Sequence, residues 1–287
     1  MSDTSREMNA DTLATTSFET ICDAFDVAFG DYAVSFSPSA SFLGEMTRRR
    51  GVRFDLSVGV REGDRLVAFT LNGLGRWQGE LTAYDCGTGV IPAYRGRRLT
   101  SLMLAKTVEL LRAEGATQYL LEVIQANEKA IRAYRGAGFG TSRELRCWQL
   151  EELSRPASST IAIEDNAPFD AATMASMRDC EPSWQNDDES IARAGDPHVT
   201  FTVRDDMGVA ATAVLFPMTN DLAQLAVAPR ARRRGFGTAL LAAARERCDK
   251  PLRILNVDAR DDGTNAFLAA AGATEIVRQF EMLKRLV

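Results

Sequence analysis

One short pattern occurs twice, half a chain apart, and it restricts the fold more than any other feature. Val90-Ile91-Pro92-Ala93-Tyr94-Arg95-Gly96-Arg97-Arg98-Leu99-Thr100 returns in outline as Val227-Ala228-Pro229-Arg230-Ala231-Arg232-Arg233-Arg234-Gly235-Phe236-Gly237. In each copy a Val-x-Pro leads into an arginine-rich turn that opens a helix. Arg232 follows Arg95 by 137 residues in a chain of 287. A second pair of landmarks, the helix-ending glycines Gly138 and Gly272, is spaced by 134. Two agreeing offsets imply two similar domains. An Arg/Gly-rich strand-to-helix turn suits phosphate, because backbone N–H groups at a helix start point at the anion and the helix dipole adds partial positive charge.

Composition narrows the partners. The length fits two domains that each bury a core. A hydrophobic fraction of 45% and a charged fraction of 25% are those of a soluble globular protein. No apolar run approaches the roughly 18 residues of a membrane span. Residues 1–17 are polar and lack a signal core, so a cytoplasmic protein is expected. Cys22, Cys86, Cys147, Cys180 and Cys248 are scattered, odd in number and without a CxxC pair, which points to reduced thiols and no metal site. A net charge of −5 argues against a general nucleic-acid surface. The basic clusters at 95–98 and 230–234 are local, and fit a small polyanion.

Periodicity and breakers give the same element order twice. Residues 1–10 are expected to be disordered. In the first half, helices are expected at 18–30 and 41–50 and strands at 54–60 and 66–71. Turns are read at Asn72-Gly73 and Gln78-Gly79, then a strand at 81–91. The helix after the first arginine turn sets Thr100, Leu104, Val108 and Leu111 on one face and ends at Gly115. A strand at 119–124, a helix at 127–137 and a strand at 143–150 follow. Residues 151–159 read as a linker. The second half repeats with a strand at 161–163, a helix at 169–177, and strands at 199–204, 210–216 and 222–227. Its arginine turn opens a helix with Gly237, Leu241, Ala244 and Cys248 on one face. A strand at 252–257, a helix at 264–271 and a strand at 276–283 close the chain. The domains are expected at 11–150 and 160–287.

The two halves resemble the GCN5-related N-acetyltransferase (GNAT) family, present twice, over nearly the whole chain beyond residue 15. The family's pyrophosphate motif, Arg/Gln-x-x-Gly-x-Gly/Ala, is intact in the second half as Arg232, Gly235 and Gly237. The first half keeps Arg95 but has Arg98 and Thr100 at the glycine positions. A second signature is matched in the first half by Asn127, Ala130, Tyr134 and Gly138-Phe139. The second half departs from it to Asp261, Thr264, Leu268 and Gly272-Ala273.

The resemblance implies an α/β fold, with a mixed sheet in each of two tandem acyltransferase domains. It implies acetyl-CoA as cofactor and transfer of the acetyl group to a primary amine of a small-molecule or peptide acceptor, without nucleic acid, membrane or metal. Coenzyme A would be held in the first half by Thr88, Gly89, Val90, Arg95, Gly96, Arg97, Arg98, Leu99, Thr100 and Asn127. In the second half the corresponding set is Leu225, Val227, Arg232, Arg233, Arg234, Gly235, Phe236, Gly237 and Thr238. Arg98 does not forbid phosphate binding if it takes ordinary helical angles, and it adds charge. A glycine lets the backbone approach the pyrophosphate. Gly87-Thr88-Gly89 interrupts an apolar strand where a bulge or close approach is expected, and where a backbone N–H can polarise the thioester carbonyl.

Tyr134 stands at the family's general-acid position, a role worth about 10²–10⁴ in rate. Leu268 cannot donate a proton, which favours the first half for chemistry. An ammonium of pKa about 10.4 is rarely free base at neutral pH, a cost of roughly 4–5 kcal/mol unless a base or desolvation supplies it. Glu122, Asp85 and Glu80 are the candidate bases. Cys86 is read as a buried structural thiol. A lone His198 excludes Ser-His and Cys-His hydrolases. Asp187-Asp188-Glu189 near Trp184 is either an acceptor groove or a solvated helix start, and Trp77 a lid or a hairpin tip. Acceptor specificity is expected from residues 30–50 and 178–197.

Two alternatives stay open. In an arrangement like the mycothiol synthases, tandem members of the same family, the C-terminal half is the active one; the loop at 232–237 favours this and Leu268 opposes it. A non-catalytic acyl-CoA sensor would keep phosphate loops and lack the acid, as the second half does. Monomer and homodimer are both compatible with tandem domains.

Overall fold

A computed structural model describes residues 8–30, 39–195 and 197–286. The chain divides into two compact units, Met1–Ser142 with Glu281–Val287, and Arg143–Phe280. The first unit runs β1 (Ala10–Thr12), α1 (Phe18–Phe29), α2 (Ala40–Arg49), β2 (Val58–Glu62), β3 (Arg65–Trp77), β4 (Glu80–Val90), α3 (Leu99–Ala113), β5 (Gln118–Ile124) and α4 (Glu128–Gly136), and ends within β6 (Gly140–Leu150). Its strands lie in the order β1-β2-β3-β4-β5, antiparallel except for the parallel β4–β5 pair.

Helix α1 forms because Ser17 caps it, accepting from the Thr20 amide, and because Ile21, Ala24, Phe25 and Ala28 bury one face. That face packs on β3, where the Phe25 and Phe69 rings stack at 5.6 Å. Asn72-Gly73, read as a turn, instead lies inside β3. Tertiary contacts override the local turn preference there. The Asn72 side chain is buried and donates to the Leu56 carbonyl (2.8 Å), and Gly73 lets the Arg50 carbonyl approach where a Cβ would lie 2.2 Å from it. The true hairpin turn is Gln78-Gly79, with φ of 51° and 83°. Trp77 closes that hairpin with its side chain buried, so it is no lid.

The second unit continues from β6 through β7 (Glu164–Asp165), α5 (Ala171–Met177), α6 (Asp188–Arg193), β8 (Val199–Asp205), β9 (Gly208–Phe216), β10 (Asp221–Val227), α7 (Phe236–Glu246), β11 (Leu252–Asp258), α8 (Asp262–Ala271) and β12 (Thr274–Arg285). Its strand order is β12-β6-β11-β10-β9-β8-β7. One apolar cluster, including Phe201, Leu215, Leu240, Leu241 and Leu252, fills it.

The boundaries 11–150 and 160–287 followed composition, whereas the chain changes unit inside β6 and again inside β12. A strand belongs with its hydrogen-bonded partner, and β6 pairs with β11 from Leu145 to Leu150. The linker read at 151–159 lies within the second unit, where the Ser154 amide donates to the Ala271 carbonyl. The strand read at 161–163 falls at Glu164–Asp165, because Ile161 and Ile163 pack on the core instead of pairing. Of the segment expected to be disordered, residues 1–7 lie outside the described residues, while Ala10 begins β1 and pairs with Val60.

Candidate active site

Each unit builds the same loop from different residues. In the first, Gly96 (φ 80°) and Arg98 (φ 59°) are left-handed; in the second, Arg233 (φ 64°) and Gly235 (φ 87°) are. Aligned on the 137-residue offset, glycine and arginine have exchanged places at the two left-handed positions. Arg98 therefore does not have the ordinary helical angles expected of it. It is the N-cap of α3, as Gly235 is of α7. Among the eight α-helices of the described residues, only α3 and α7 lack a side-chain cap; Ser17, Ser39, Asn127, Asp170, Asp187 and Asp261 cap the others. The first-turn amides of these two helices are left to an outside acceptor.

The leading arginines do something other than bind phosphate. Arg95 donates from Nε to the Val90 carbonyl (3.1 Å) and from Nη2 to the Ala28 carbonyl (2.9 Å). Arg232 repeats both bonds, to Val227 (3.1 Å) and Met177 (3.1 Å), and adds Asp179. Both tie the loop to its strand and to the C-terminal turn of an earlier helix, α1 in the first unit and α5 in the second. Arg97 stacks over Tyr94, and Arg234 pairs with Asp205 (2.9 Å) and stacks over Phe236. Leu99 is buried in the core, so only its main chain faces the loop. Thr100 is half-buried at the position that Gly237 holds in the second unit. Asn127 and Asp261 are helix caps, accepting from the Ala130 and Thr264 amides, so the departure from Asn to Asp preserves the local chemistry.

Strand β4 pairs with β5 only from Thr82–Gln118 to Asp85–Leu121, and beyond that the two strands part. A bulge falls at Cys86, between the Leu71–Gly87 and Asn72–Asp85 pairs. The Ile91 amide bonds across to Val67 on β3. Strand alternation then turns the Thr88 and Val90 amides to the open edge. Gly89 is required for a different reason than cofactor approach: a Cβ there would lie 2.6 Å from the Phe69 ring. In the second unit β10 pairs with β11 only at Asp221–Arg253, and its bulge falls at Ala223, the position equivalent to Cys86. There the Ala228 amide bonds across to Ala210, which leaves the Leu225 and Val227 amides on the open edge.

The residues expected to act as acid and base all lie in the first unit. Asp85 is the last β4 residue paired with β5. Its Oδ1 accepts the Gly87 amide (3.0 Å), and its Oδ2 accepts Thr88 Oγ1 (2.7 Å) and the Tyr134 hydroxyl (3.2 Å). Burial pushes its carboxyl up to about 6, against these bonds. Tyr134 is buried on α4, edge-on to Phe139. Glu122 on β5 accepts from the Tyr84 hydroxyl (2.9 Å), and burial, then the Glu122 charge, push that phenol well above its usual range. Glu80 is not at the opening. It sits at the other end of β4, where hydrogen bonds from Arg285 and Thr117 lower its pKa. Cys86 is buried, its thiol donating to the Tyr84 carbonyl.

The same positions in the second unit carry Leu222 for Asp85, Asn256 for Glu122 and Leu268 for Tyr134. Around its loop lies a cavity of about 440 Å³, lined by Leu225, Val227, Arg232, Arg233, Gly235, Phe236, Gly237 and Thr238. Arg233 is exposed and makes no ion pair among the described residues. Between β10 and β11 a chain segment spans the gap. The Asn186 side chain donates to the Leu255 carbonyl (2.9 Å), and Gln224 Nε2 donates to the Asn186 carbonyl (2.7 Å) and to Asp188 (2.9 Å). The acidic run read as groove or solvated helix start is part of this closure. Asp187 caps α6, its carboxyl pushed up to about 7 by burial, and Asp188 holds Arg178 at 2.8 and 3.0 Å. His198 is half-buried against Phe169 and Phe216. Sequence reasoning missed Thr70, Thr88 Oγ1, Asn72 and Tyr119 as a polar cluster, and also the Gln224–Asn186 bridge. Strand pairing across β3, β4 and β5 assembles the cluster, and no local motif announces it.

The acetyltransferase (GNAT) family model matches residues 20–139 and 162–273. No curated protein matches the sequence. Solved structures match over nearly the full length. A tandem GNAT protein from the clavulanic acid biosynthesis pathway superposes with a TM-score of 0.72 at 15% identity, covering 98% of this chain and 99% of that one. A GCN5-related N-acetyltransferase from Sphaerobacter thermophilus gives 0.71 at 14%, covering 97% and 96%. A glucosamine N-acetyltransferase region of a fungal multi-domain β-N-acetylglucosaminidase gives 0.70 at 14%, covering 96% and 38%. These likenesses establish the fold. With two uncapped helix starts, two parted strand pairs and a family match in each half, the chain belongs to the GNAT acetyltransferase family as a fusion of two GNAT domains.

Proposed function

We propose that the protein transfers an acetyl group from acetyl-CoA, its donor substrate, to a primary amine, with the chemistry in the first unit. The observation that carries this reading is the company kept by the open β4 edge. Tyr134, Asp85 and Glu122 stand around it in the first unit, and Leu268, Leu222 and Asn256 stand in their places in the second. A pyrophosphate suits the uncapped first turn of α3, between Arg98 and Thr100, and a pantetheine arm suits the open edge at Thr88 and Val90. An amide on that edge would polarise the thioester carbonyl as its charge develops. Tyr134 would then protonate the leaving thiolate.

The reading includes a small-molecule or peptide acceptor and a cytoplasmic monomer or homodimer. Among the described residues no helix is long and apolar enough to cross a membrane. The test is thiol release from acetyl-CoA over a panel of amines that includes glucosamine, the acceptor named for the fungal relative. Tyr134→Phe is expected to lower turnover at least tenfold and to leave acetyl-CoA affinity nearly unchanged. Full activity in that variant would move the chemistry to the other unit.

A second reading concerns the other half alone. Its open cavity favours a bound acyl-CoA, while the Asn186 bridge and the missing acid favour binding without turnover.

A further inference from the structure

Asp85 lies against Tyr134, its Oδ2 accepting the Tyr134 hydroxyl. It is only 6% exposed, and two of its partners, Tyr134 and Thr88, carry hydroxyl protons. Thr88 leads inward. Its Oγ1 lies 2.9 Å from Thr70 Oγ1, which is 3.5 Å from Asn72 Oδ1, and that oxygen accepts the buried Tyr119 hydroxyl at 2.5 Å. Tyr134 leads outward. Its counterpart Leu268 lines the second unit's gap beside Gln224, Ala226 and Asn256. Placed as Leu268 is, Tyr134 would stand between the opening and Asp85, with its hydroxyl on Asp85 Oδ2.

We propose that Asp85 and Tyr134 form a single proton shuttle for the acetyl transfer inferred above, on which this assignment rests: one dyad is both base and acid. The neutral amine, its ammonium proton already lost to solvent, bonds to the thioester carbonyl carbon. Its proton passes to the Tyr134 oxygen while the Tyr134 proton passes to Asp85 Oδ2. When the carbon–sulfur bond breaks, sulfur takes the electron pair and receives a proton from Tyr134, which is refilled from Asp85. Amine and thioester become amide and thiol, and the dyad ends as it began. Asp85 is a positioning and relay residue; Tyr134 alone meets the reacting atoms. Burial suits the task, since a carboxyl raised to about 6 is ionised at neutral pH yet basic enough to hold a proton in passing. The titratable groups facing it are Tyr134 from α4, Tyr119 from β5 and Cys86 beside it on β4, with the Glu122–Tyr84 pair beyond.

The test is a double-mutant cycle on the single-turnover rate of acetyl transfer, with acetyl-CoA affinity measured alongside. Asp85→Asn and Tyr134→Phe are each expected to slow transfer by about 100-fold without weakening binding, and the double variant to be no more than about threefold slower than either. The wild-type rate is expected to fall below about pH 6 as one proton binds, and Asp85→Asn to lose that limb. Losses that multiply, or an Asp85→Asn variant keeping half its rate, would overturn the shuttle. Should Asp85→Asn not fold, a proton inventory of the wild-type rate in mixed H₂O and D₂O decides: curvature from two protons in flight supports the dyad, and a straight line overturns it. If the wild-type protein releases no thiol with any amine, the acetyltransferase reading fails and takes the shuttle with it. Activity that survives in Asp85→Asn defeats the shuttle alone.

Discussion

The two units share one main-chain plan and set different side chains on it. Both keep the strand bulge, at Cys86 and Ala223, and both tie the loop down with an arginine whose two backbone bonds are the same. Both leave the following helix uncapped. What differs lies between the parted strands. The first unit lines that space with a buried acid, a phenol and a glutamate. The second has leucines and an asparagine there, bridges the gap with Asn186, and keeps an open cavity of about 440 Å³ at the loop. The main-chain scaffold of bulge, tied loop and uncapped helix start is separable from the side chains set between the parted strands.

The sharpest way to break that division is Gly235→Glu. The residue is left-handed at φ 87°, so a side chain there is strained, and a carboxylate is set against the proposed phosphate position. Calorimetry with coenzyme A is expected to show one of two binding events lost, at least 100-fold weaker, with turnover kept within about twofold. If turnover stops as well, the second unit is catalytic and the comparison inverts.

A buried acid in one unit and a leucine in its counterpart also predict a stability signature. The Asp85 carboxyl is raised in the folded state from 3.8 to about 6. A raised folded pKa means that its contribution is full below about pH 3.8 and is lost as pH rises through about 6. The gap corresponds to about 3 kcal/mol. Asp85→Asn is expected to gain on the wild type by up to that amount between pH 4.5 and pH 7.5 in urea titrations. A pH-independent difference would show that the site holds its charge without penalty.

A smaller effect is expected where both units are equally well built. Deleting the Asn127 or the Asp261 cap should cost about 1 kcal/mol each as alanine variants, because each side chain satisfies one helix amide. Unequal losses in melting experiments would mean that one of these residues has a further role.

Local devices were legible in the sequence, and long-range ones were not. The glycines Gly138 and Gly272, the turn at Gln78-Gly79 and the repeated arginine loop carry their geometry in a few adjacent residues. Asn72-Gly73 reads as a turn until Tyr119, Ser57 and Leu56 supply partners from elsewhere in the fold. Tyr134 was identifiable by position. That its hydroxyl rests on Asp85, 49 residues earlier, depends on how α4 packs over β4. Likewise, the polarity of Asp187-Asp188-Glu189 suggested solvent, and only the fold brings Arg178 and Gln224 against Asp188.

The loop itself offers the finest discrimination. An L-residue in the left-handed region pays a steric cost that glycine escapes, of about 1 kcal/mol. Each of the two arginine loops carries one such cost, at Arg98 in the first and at Arg233 in the second. Replacing either by glycine removes it, though glycine's freer unfolded chain returns part of the gain. A net stabilisation of about 0.5 kcal/mol is expected from Arg98→Gly, and a similar one from Arg233→Gly. The two variants should nevertheless part in function. Arg233 lines the open cavity without an ion pair among the described residues, so its loss is expected to weaken coenzyme A at the second unit several-fold and to steepen no other property. Arg98→Gly restores the family's glycine at the first loop, and acetyl-CoA affinity there is expected to stay within about threefold. Had the arginines been retained only for charge, both variants would lose affinity alike, and the exchange of glycine and arginine between the two loops would have no conformational meaning.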